Sequence, residues 1–389
     1  MRILLITSSY PPVLGGLQTV VHELARQFQA QGHQVQVVTS RYPRSLPARE
    51  VLEGICVIRY LFLQPSLDQL RSGRPDLFLA GLVFGPLTLF RLRRLAGQFR
   101  PDVVNLHFPL SQTSFVLALR KGQQCPLVVS LHGNEILTWF GAGRKPFRGF
   151  ENIEPGFTRS ARARSLCAVL REATMVTACS RWLLGKAALL ESSVADKGVA
   201  IHNGIDASRF RDHSAASRQR PYIFAFGRLT LLKGFDLLLT AFAELASAWP
   251  GIDLIIGGDG EEQDALALQA VQAGLASRII FAGRLEPPGV VRYLNGCLFL
   301  VVPSRCEPFG IVALEGLAAG KAVLAADAGG VAEIPGVQIV PATVAGLREG
   351  MAEWLAVPPV PVSRHLAETF SWQYAAGRYL ATYQTVVQK

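Results

Sequence analysis

The sequence has few charged residues, no cysteine pair at metal-ligand spacing and no apolar run long enough to cross a membrane. Only 17% of its 389 residues are charged and half are hydrophobic, which excludes extended disorder and supplies apolar material for two cores. This length favours two domains of roughly 150 to 200 residues each. A two-domain enzyme is expected to hold its site in the cleft between them.

The six cysteines are widely separated, at positions 56, 125, 167, 179, 297 and 306. None forms a Cys-x-x-Cys motif or has histidines at metal-ligand spacing, so they are interpreted as free thiols of a reducing cytoplasm. The first residues, Met1–Thr7, resemble a strand rather than a signal peptide. We therefore expect a cytoplasmic protein.

The longest apolar run, Leu77–Phe90, is 14 residues long and is interrupted by two glycines and a proline. A transmembrane helix needs about 20 apolar residues, so none is predicted. Arg91, Arg93 and Arg94 follow the run, which predicts an acceptor-binding or membrane-facing region. A buried helix with a solvated end is the alternative.

Positive charge is concentrated in the first half of the chain. Residues 1–205 hold 24 Lys and Arg against 12 Asp and Glu, whereas residues 206–389 hold 15 against 17. This imbalance suggests an anionic partner for the first domain, such as a phospholipid surface at the inner face of the membrane or a lipid-phosphate acceptor. Nucleic acid would satisfy the charge equally, but no zinc-finger spacing or RNP-type aromatic run is present, so no nucleic-acid partner is expected.

Short β-branched runs alternate with longer amphipathic stretches, which is typical of βαβ units on parallel sheets. The predicted strands are 3–7, 34–39, 103–106, 127–130, 222–226, 253–257, 278–282, 298–303 and 322–325, and a helix is predicted over 18–31. A polar, basic stretch at 207–221 is interpreted as the linker. The predicted domains are 1–205, 206–370 and a C-terminal helix, 371–389, that crosses back to brace the first domain.

Candidate site residues lie in loops that follow predicted strands, where open α/β sheets bind ligands. In the first domain Gly15 and Gly16 precede a helix whose amides could receive a phosphate, although no Gly-x-Gly-x-x-Gly is present, which counts against a dehydrogenase. His107, His132 and Asn134 also follow strands. An ordinary turn and structural histidines are the alternatives.

In the second domain Arg228 and Lys233 lie at a strand-to-helix junction, where two cations can neutralise a diphosphate leaving group. Solvated surface charges are the alternative. The Gly257-Gly-Asp-Gly-Glu-Glu turn allows close backbone approach at Gly258, but it is equally common as plain loop sequence.

The segment Pro303–Gly320 is the most informative, because it carries two carboxylates, Glu307 in a loop and Glu315 in a helix. Between them lie the backbone amides of the helix start, at Phe309, Gly310 and Ile311. The loop carboxylate can accept hydrogen bonds from sugar hydroxyls, the helix N-terminus can hold phosphate, and the second carboxylate can accept ribose hydroxyls.

These motifs resemble those of the retaining glycosyltransferases of family 4, over nearly the whole chain. Glu307-Pro-Phe-Gly-Ile-Val-Ala-Leu-Glu315 is similar to the family's Glu-x7-Glu motif, and Gly227-Arg-Leu-Thr-Leu-Leu-Lys233-Gly and Asn203-Gly-Ile-Asp also match. The resemblance implies two Rossmann-like, doubly wound α/β domains facing across a cleft, the GT-B arrangement. The first domain would bind the acceptor and the second the nucleotide sugar.

By that resemblance Arg228 and Lys233 bind the donor diphosphate, Glu307 the transferred sugar and Glu315 the ribose. Gly16 would bind a phosphate or acceptor group, and His132 would face the sugar. The family retains anomeric configuration and needs no bound metal, and this sequence has no Asp-x-Asp. Gly316, where members often have Ala, and the shorter turn after Ala332 depart from the pattern and affect loop details.

The expected function is therefore transfer of a hexose from a UDP- or GDP-sugar, used as substrate with no cofactor, to a glycan or lipid-linked hydroxyl in cell-envelope or exopolysaccharide synthesis. A non-catalytic sugar-nucleotide sensor and a sugar-nucleotide epimerase on the same fold are the alternatives.

Overall fold

The short β-branched runs form the strands of two parallel sheets, each in its own folding unit. A computed structural model describes residues 1–12, 16–65, 69–70, 73–122, 125–141, 161–210, 214–216, 218–360 and 369–388. The first unit comprises Met1–Gly141, the described part of Arg148–His202, and Trp372–Lys389, and the second comprises Asn203–Ser371. The described part of the stretch expected as a linker belongs to the second unit.

The first unit is an eight-stranded sheet in the order β3-β4-β2-β1-β5-β6-β7-β8, parallel except for β3. Its strands are β1 Arg2–Thr7, β2 Gln34–Ser40, β3 Arg49–Leu52, β4 Ile55–Tyr60, β5 Val103–His107, β6 Leu127–Leu131, β7 Met175–Ala178 and β8 Gly198–Ala200. Its helices are α1 Gly16–Ala30, α2 Pro75–Phe99, α3 Thr113–Arg120, α4 Asn134–Leu137, α5 Ala161–Glu172, α6 Arg181–Leu190 and α7 Val194–Lys197, with a 3₁₀ turn at Thr138–Phe140.

The second unit is a six-stranded parallel sheet in the order β11-β10-β9-β12-β13-β14. Its strands are β9 Tyr222–Phe226, β10 Asp253–Gly257, β11 Ile279–Gly283, β12 Leu300–Val302, β13 Val323–Ala326 and β14 Val337–Val340. Its helices are α8 Phe235–Leu245, α9 Gln263–Gln272, α10 Pro287–Gly296, α11 Ile311–Ala318 and α12 Val344–Ala356, with 3₁₀ turns at Ala207–Phe210, Leu231–Lys233 and Gly330–Glu333.

Central strands in both sheets are buried on both faces. Every residue of Ile3–Ile6 in β1 and of Ile223–Ala225 in β9 is fully inaccessible to solvent. Helices therefore cover both sides of each sheet, as parallel sheets require. The predicted fold class, two doubly wound α/β domains, is confirmed.

The C-terminal helix, α13 Trp372–Val387, belongs to the first unit, as predicted. The Tyr383 hydroxyl donates to Asn105 Oδ1 at 2.9 Å, and Asn105 Nδ2 donates to Ser130 Oγ at 2.9 Å. Thr177 Oγ1 donates to the same Ser130 Oγ at 2.7 Å and lies 3.5 Å from the Tyr379 hydroxyl. Because buried polar groups are costly without partners, this network fixes α13 on strands β5, β6 and β7.

Candidate active site

The site of the second unit lies where the strand order of its sheet reverses. From β9 the chain builds outward through β10 and β11 on one side, then returns to add β12, β13 and β14 on the other. The loops after β9 and β12 therefore leave adjacent strands in opposite directions and open a crevice at their carboxyl ends. Arg228 and Lys233 lie in the first loop and Glu307 lies in the second.

The two loops are in direct backbone contact. Gly234 has a φ of +67°, and a Cβ added there would lie 2.0 Å from the Pro303 carbonyl oxygen, so only glycine allows this approach. The amides of Arg305 and Cys306 both donate to the Leu232 carbonyl, at 2.8 and 3.2 Å. The loop that carries Lys233 is thus held against the loop that carries Glu307.

A bidentate ion pair reinforces this contact. The guanidinium of Arg305 donates to both carboxylate oxygens of Asp236, at 2.6 and 2.7 Å, and to the Leu231 carbonyl at 3.0 Å. Asp236 lies in the first turn of α8, where a negative charge is favoured by the helix dipole. The pair fixes the orientation of both loops relative to the start of this helix.

Lys233 and Glu307 form the centre of the site. Lys233 Nζ donates to Glu307 Oε2 at 2.6 Å, and the buried Ser304 hydroxyl donates to the same oxygen at 3.2 Å. The Glu307 side chain is 9% exposed and that of Lys233 29%. Among described residues no hydrogen-bond donor contacts the other oxygen, Oε1, so it remains able to accept one from a ligand hydroxyl.

The loop after β10 forms the third wall of this crevice. At Gly258, φ is +125° and an added Cβ would lie 1.9 Å from the Gly227 carbonyl oxygen, which only glycine tolerates. The Leu229 amide donates to the Asp259 carbonyl at 2.8 Å, which ties the turn to the loop after β9. Arg228, between these contacts, is exposed and can reach an anion in solution.

The helix α11 begins directly after the Glu307 loop. Gly310 caps it in the left-handed conformation, with φ 105°, and Phe309 packs its ring inside the unit, 6.2 Å from that of Phe370. The first amides of a helix have no intrahelical acceptor, so those that begin at Ile311 form an anion-binding position. The side chain of Phe309 is buried, which limits its role in donor binding to its backbone.

Glu315 lies one turn further along the same helix. Burial raises its pKa to about 7, and the nearby Arg209 guanidinium opposes this shift. Arg209 belongs to the 3₁₀ turn Ala207–Phe210, which packs against α11. At neutral pH the carboxyl group is therefore close to its titration point.

Replacing Glu315 by Gln is expected to stabilise the chain at pH 8 by roughly 2 kcal/mol and to have little effect at pH 5. The folded-state pKa, about 7, lies above the ordinary 4.5, so the folded chain keeps a proton that the unfolded chain loses in this interval. Stability then falls as pH rises from about 4.5 to 7. Urea unfolding at both pH values measures the difference.

The matched control is Glu349→Gln, because that side chain is 70% exposed. This substitution should leave the free energy of unfolding unchanged at either pH. An equal effect of Glu315→Gln at pH 5 and pH 8 would contradict the raised pKa.

In the first unit, two histidines meet at the carboxyl ends of β5 and β6. His107 Nδ1 and His132 Nε2 are 3.0 Å apart, so one ring donates to the other. Burial lowers the pKa of His132 to about 4 and that of His107 well below its usual value. Both imidazoles are neutral at pH 7. His107 is fully buried as the last residue of its strand, which places it behind His132 rather than at the surface.

A buried carboxyl group shapes the loop that follows His132. Glu135 accepts hydrogen bonds from the amides of His132 and Gly133, and burial raises its pKa to about 7 against the opposing effect of these bonds. Asn134 is exposed beside it. Gly16 is the first residue of α1, after the loop that follows β1, whereas Gly15 lies outside the described residues.

Several of these residues are missed by reading the sequence. These are Ser304, Arg305 and Asp236, which hold Glu307 and Lys233. Their positions beside the motif residues were a usable signal, because loops after neighbouring strands must meet at a reversal point. Within the described residues, no group of three or more His, Cys, Asp or Glu side chains is arranged to hold a metal ion.

Two family models together match most of the chain. The model of Glycosyltransferase Family 4 matches residues 14–209, and that of Glycosyl transferases group 1 matches residues 206–359. A glycogen synthase of Mycobacterium tuberculosis is 31% identical over 97% of this chain and 92% of its own length. D-inositol 3-phosphate glycosyltransferase 1 of Catenulispora acidiphila is 29% identical, over 96% and 91%.

Solved structures share the fold at lower sequence identity. Sucrose-phosphate synthase from Thermosynechococcus elongatus has a TM-score of 0.77 at 17% identity, with 100% of both chains covered. Anabaena HepE, solved in complex with UDP and glucose, has a TM-score of 0.72 at 20% identity, with 99% of this chain and 100% of HepE covered. The chain has the GT-B fold of these enzymes and belongs to glycosyltransferase family 4.

Proposed function

We propose that this glycosyltransferase moves a hexose from a UDP- or GDP-sugar to a hydroxyl group of a glycan or a lipid-linked acceptor, with retention of configuration and without a bound metal. The observation that carries the proposal is the Lys233–Glu307 pair at the reversal point of the second sheet, next to the start of α11. A cation, a carboxylate and a helix N-terminus there match a diphosphate joined to a sugar.

Three subsites are proposed to bind the three parts of the donor, its diphosphate, its sugar and its ribose. Arg228, Lys233 and the first amides of α11 bind the diphosphate, Glu307 Oε1 accepts a hydrogen bond from a sugar hydroxyl, and Glu315 accepts from the ribose. Supporting this, the Lys233 ammonium already contacts Glu307 and so lies within reach of both diphosphate and sugar. HepE, solved with UDP and glucose, supports a uridine nucleotide as the first donor to test.

The chemical step proposed is front-face transfer. The bond between the anomeric carbon and the diphosphate oxygen breaks, the acceptor oxygen bonds to the same face of that carbon, and the acceptor proton passes to the leaving diphosphate. Charge that grows on the diphosphate is stabilised by Arg228, Lys233 and the helix dipole. His132, which is neutral, is proposed to hydrogen-bond the sugar rather than to supply charge.

We propose that the reaction takes place in the cytoplasm, peripherally at the inner face of the membrane. Among the described residues none of the six cysteines forms a disulfide, which supports a reducing compartment. The names of two relatives support the acceptor class, a glycogen synthase for a glycan and a phosphatidyl-myo-inositol mannosyltransferase for a lipid. Cell-envelope or exopolysaccharide synthesis is the proposed context.

The test is a donor panel followed by product analysis. Thermal stabilisation by UDP, GDP and ADP, and then by their sugars, identifies the nucleotide, and NMR of the product gives its anomeric configuration. Retention in an oligosaccharide or glycolipid product supports the proposal. Inversion contradicts the mechanism, epimerised donor without acceptor identifies an epimerase, and binding without turnover over a broad acceptor panel identifies a sensor.

A further inference from the structure

The helix α2 in the first unit presents its large apolar side chains to solvent. Leu79, Val83 and Phe90 are 60%, 65% and 63% exposed, and Leu82, Phe84 and Leu87 are between 39% and 50% exposed. At 100° per residue Leu79, Val83 and Phe90 lie opposite the buried stripe of the helix. A surface helix of a soluble domain usually buries its large apolar side chains and exposes polar ones, which is the opposite of this arrangement.

Small residues on the inner face cause this reversal. The buried residues of α2 are Gly81, Gly85, Thr88, Leu92 and Ala96. A Cβ added at Gly81 would lie 2.4 Å from the Pro65 amide nitrogen, and Thr88 Oγ1 donates to the Leu61 carbonyl at 2.8 Å. The helix therefore approaches the backbone of the preceding segment closely, and its larger apolar side chains, apart from Leu92, are mostly left outside.

The exposed apolar stripe ends in positive charge. Arg91, Arg93 and Arg94 are exposed in the turns that follow, and no acidic residue occurs between Leu77 and Phe99. Asp76, at the start of the helix, is already paired with Arg74 at 3.0 Å. Phosphate groups complement these arginines, whereas the same helix of a second copy offers no free carboxylate to meet them.

The topology of the sheet determines how α2 can lie relative to a membrane. Among described residues it is the one helix long and apolar enough to cross a membrane, with 25 residues. However, it connects β4 to β5, which run in the same direction in one sheet, so both of its ends return to the same layer. The helix can lie along a membrane but cannot span it.

We propose that the outer face of α2, formed by Leu79, Leu82, Val83, Leu87 and Phe90 and bounded by Arg91 and Arg94, inserts into the interface of an anionic phospholipid bilayer. The apolar side chains enter the boundary between head groups and acyl chains, and the arginines contact lipid phosphates. This surface belongs to the first unit alone and does not depend on donor chemistry.

Sedimentation of the full chain with vesicles tests the proposal. We expect binding to vesicles of phosphatidylcholine with phosphatidylglycerol, and weaker binding to phosphatidylcholine alone. Val83→Ser with Phe90→Ser should lower the partition coefficient about tenfold or more, since two exposed apolar side chains are lost. Arg91→Ser with Arg94→Ser should lower it about tenfold at low salt and less at high salt.

The matched control is Leu268→Ser with Val271→Ser, a pair of exposed apolar residues in α9 of the second unit, which should bind as the wild type does. Circular dichroism and thermal unfolding show that each variant is folded, and the apolar and arginine variants test the face independently.

Unchanged vesicle binding in both the apolar and the arginine variants would overturn the proposal. So would a wild-type dimer that Val83→Ser with Phe90→Ser converts to monomer, because a second copy would then cover this face. Transfer to a soluble acceptor is measured in parallel, so a failure here is distinct from a failure of the proposed reaction.

Discussion

Glu307→Gln is expected to lower kcat by about 10² to 10³ while the second unit remains folded. The amide keeps the size of the side chain and can still accept a hydrogen bond, but it removes the charge that holds Lys233 Nζ at 2.6 Å. The Lys233 ammonium then loses its fixed position beside the diphosphate. Initial rates at saturating donor, with thermal unfolding of each variant, measure the effect.

The control for charge alone is Glu349→Gln, which replaces an exposed carboxylate of the same unit and should retain wild-type turnover. Glu349 is paired with Arg348 at 3.0 Å. If the folded Glu307→Gln enzyme had wild-type kcat, Glu307 would have no role in transfer. The roles proposed for Lys233 and Glu315 would then have to be tested separately.

Lys233→Met is expected to lower kcat/KM by roughly 10² to 10³ and to weaken binding of the free nucleoside diphosphate. Methionine keeps an unbranched apolar side chain but removes the charge that stabilises the leaving group. It also leaves the nearly buried Glu307 carboxylate without its cation, so a loss of stability is expected as well. Steady-state kinetics and calorimetric titration separate catalysis from binding.

Two comparisons make the Lys233 result specific. Lys233→Arg keeps the charge but changes its geometry, and it should recover diphosphate binding more than turnover. Arg292→Met removes an exposed cation from α10 and should change neither diphosphate binding nor turnover. A loss of turnover in Arg292→Met equal to that in Lys233→Met would show that the unit responds to net charge, and would contradict a local role.

The alternation of strands and helices was predictable because short, continuous apolar runs separated by longer amphipathic stretches are typical of parallel sheets covered on both faces. Bounds for β9 and β10 agree with the predicted 222–226 and 253–257, and most others shift by one or two residues. The strands β3, β4, β7, β8 and β14 were not predicted. The antiparallel pair of β3 and β4 is joined by a turn at Glu53 and Gly54 that the parallel pattern does not anticipate.

The helix α2 shows where local propensity gives the wrong answer. Its two glycines and Pro86 suggested interruptions of a 14-residue run, yet the helix is continuous over 25 residues. Glycine is unfavourable in an isolated helix, but here its missing side chain allows contact with the backbone near Pro65, and tertiary packing outweighs propensity.

The site was partly predictable for a topological reason. Lys233 and Glu307 lie 74 positions apart in sequence, and both follow strands that become neighbours where the sheet order reverses. The pairing of Arg305 with Asp236 and the second hydrogen bond from Ser304 depend on side-chain directions, which periodicity does not contain. The raised pKa of Glu315 likewise follows from burial of its carboxyl group in the folded unit, which periodicity does not contain.

The position of α13 determines the order in which this protein can be completed during synthesis. The second unit ends at Ser371, whereas the first still lacks the helix that supplies the partners of Asn105 and Thr177. On the ribosome the unit made first is therefore finished last. Domains usually fold in the order of their synthesis. Here the later unit can reach its native state before α13 is available to cover part of the sheet of the earlier one.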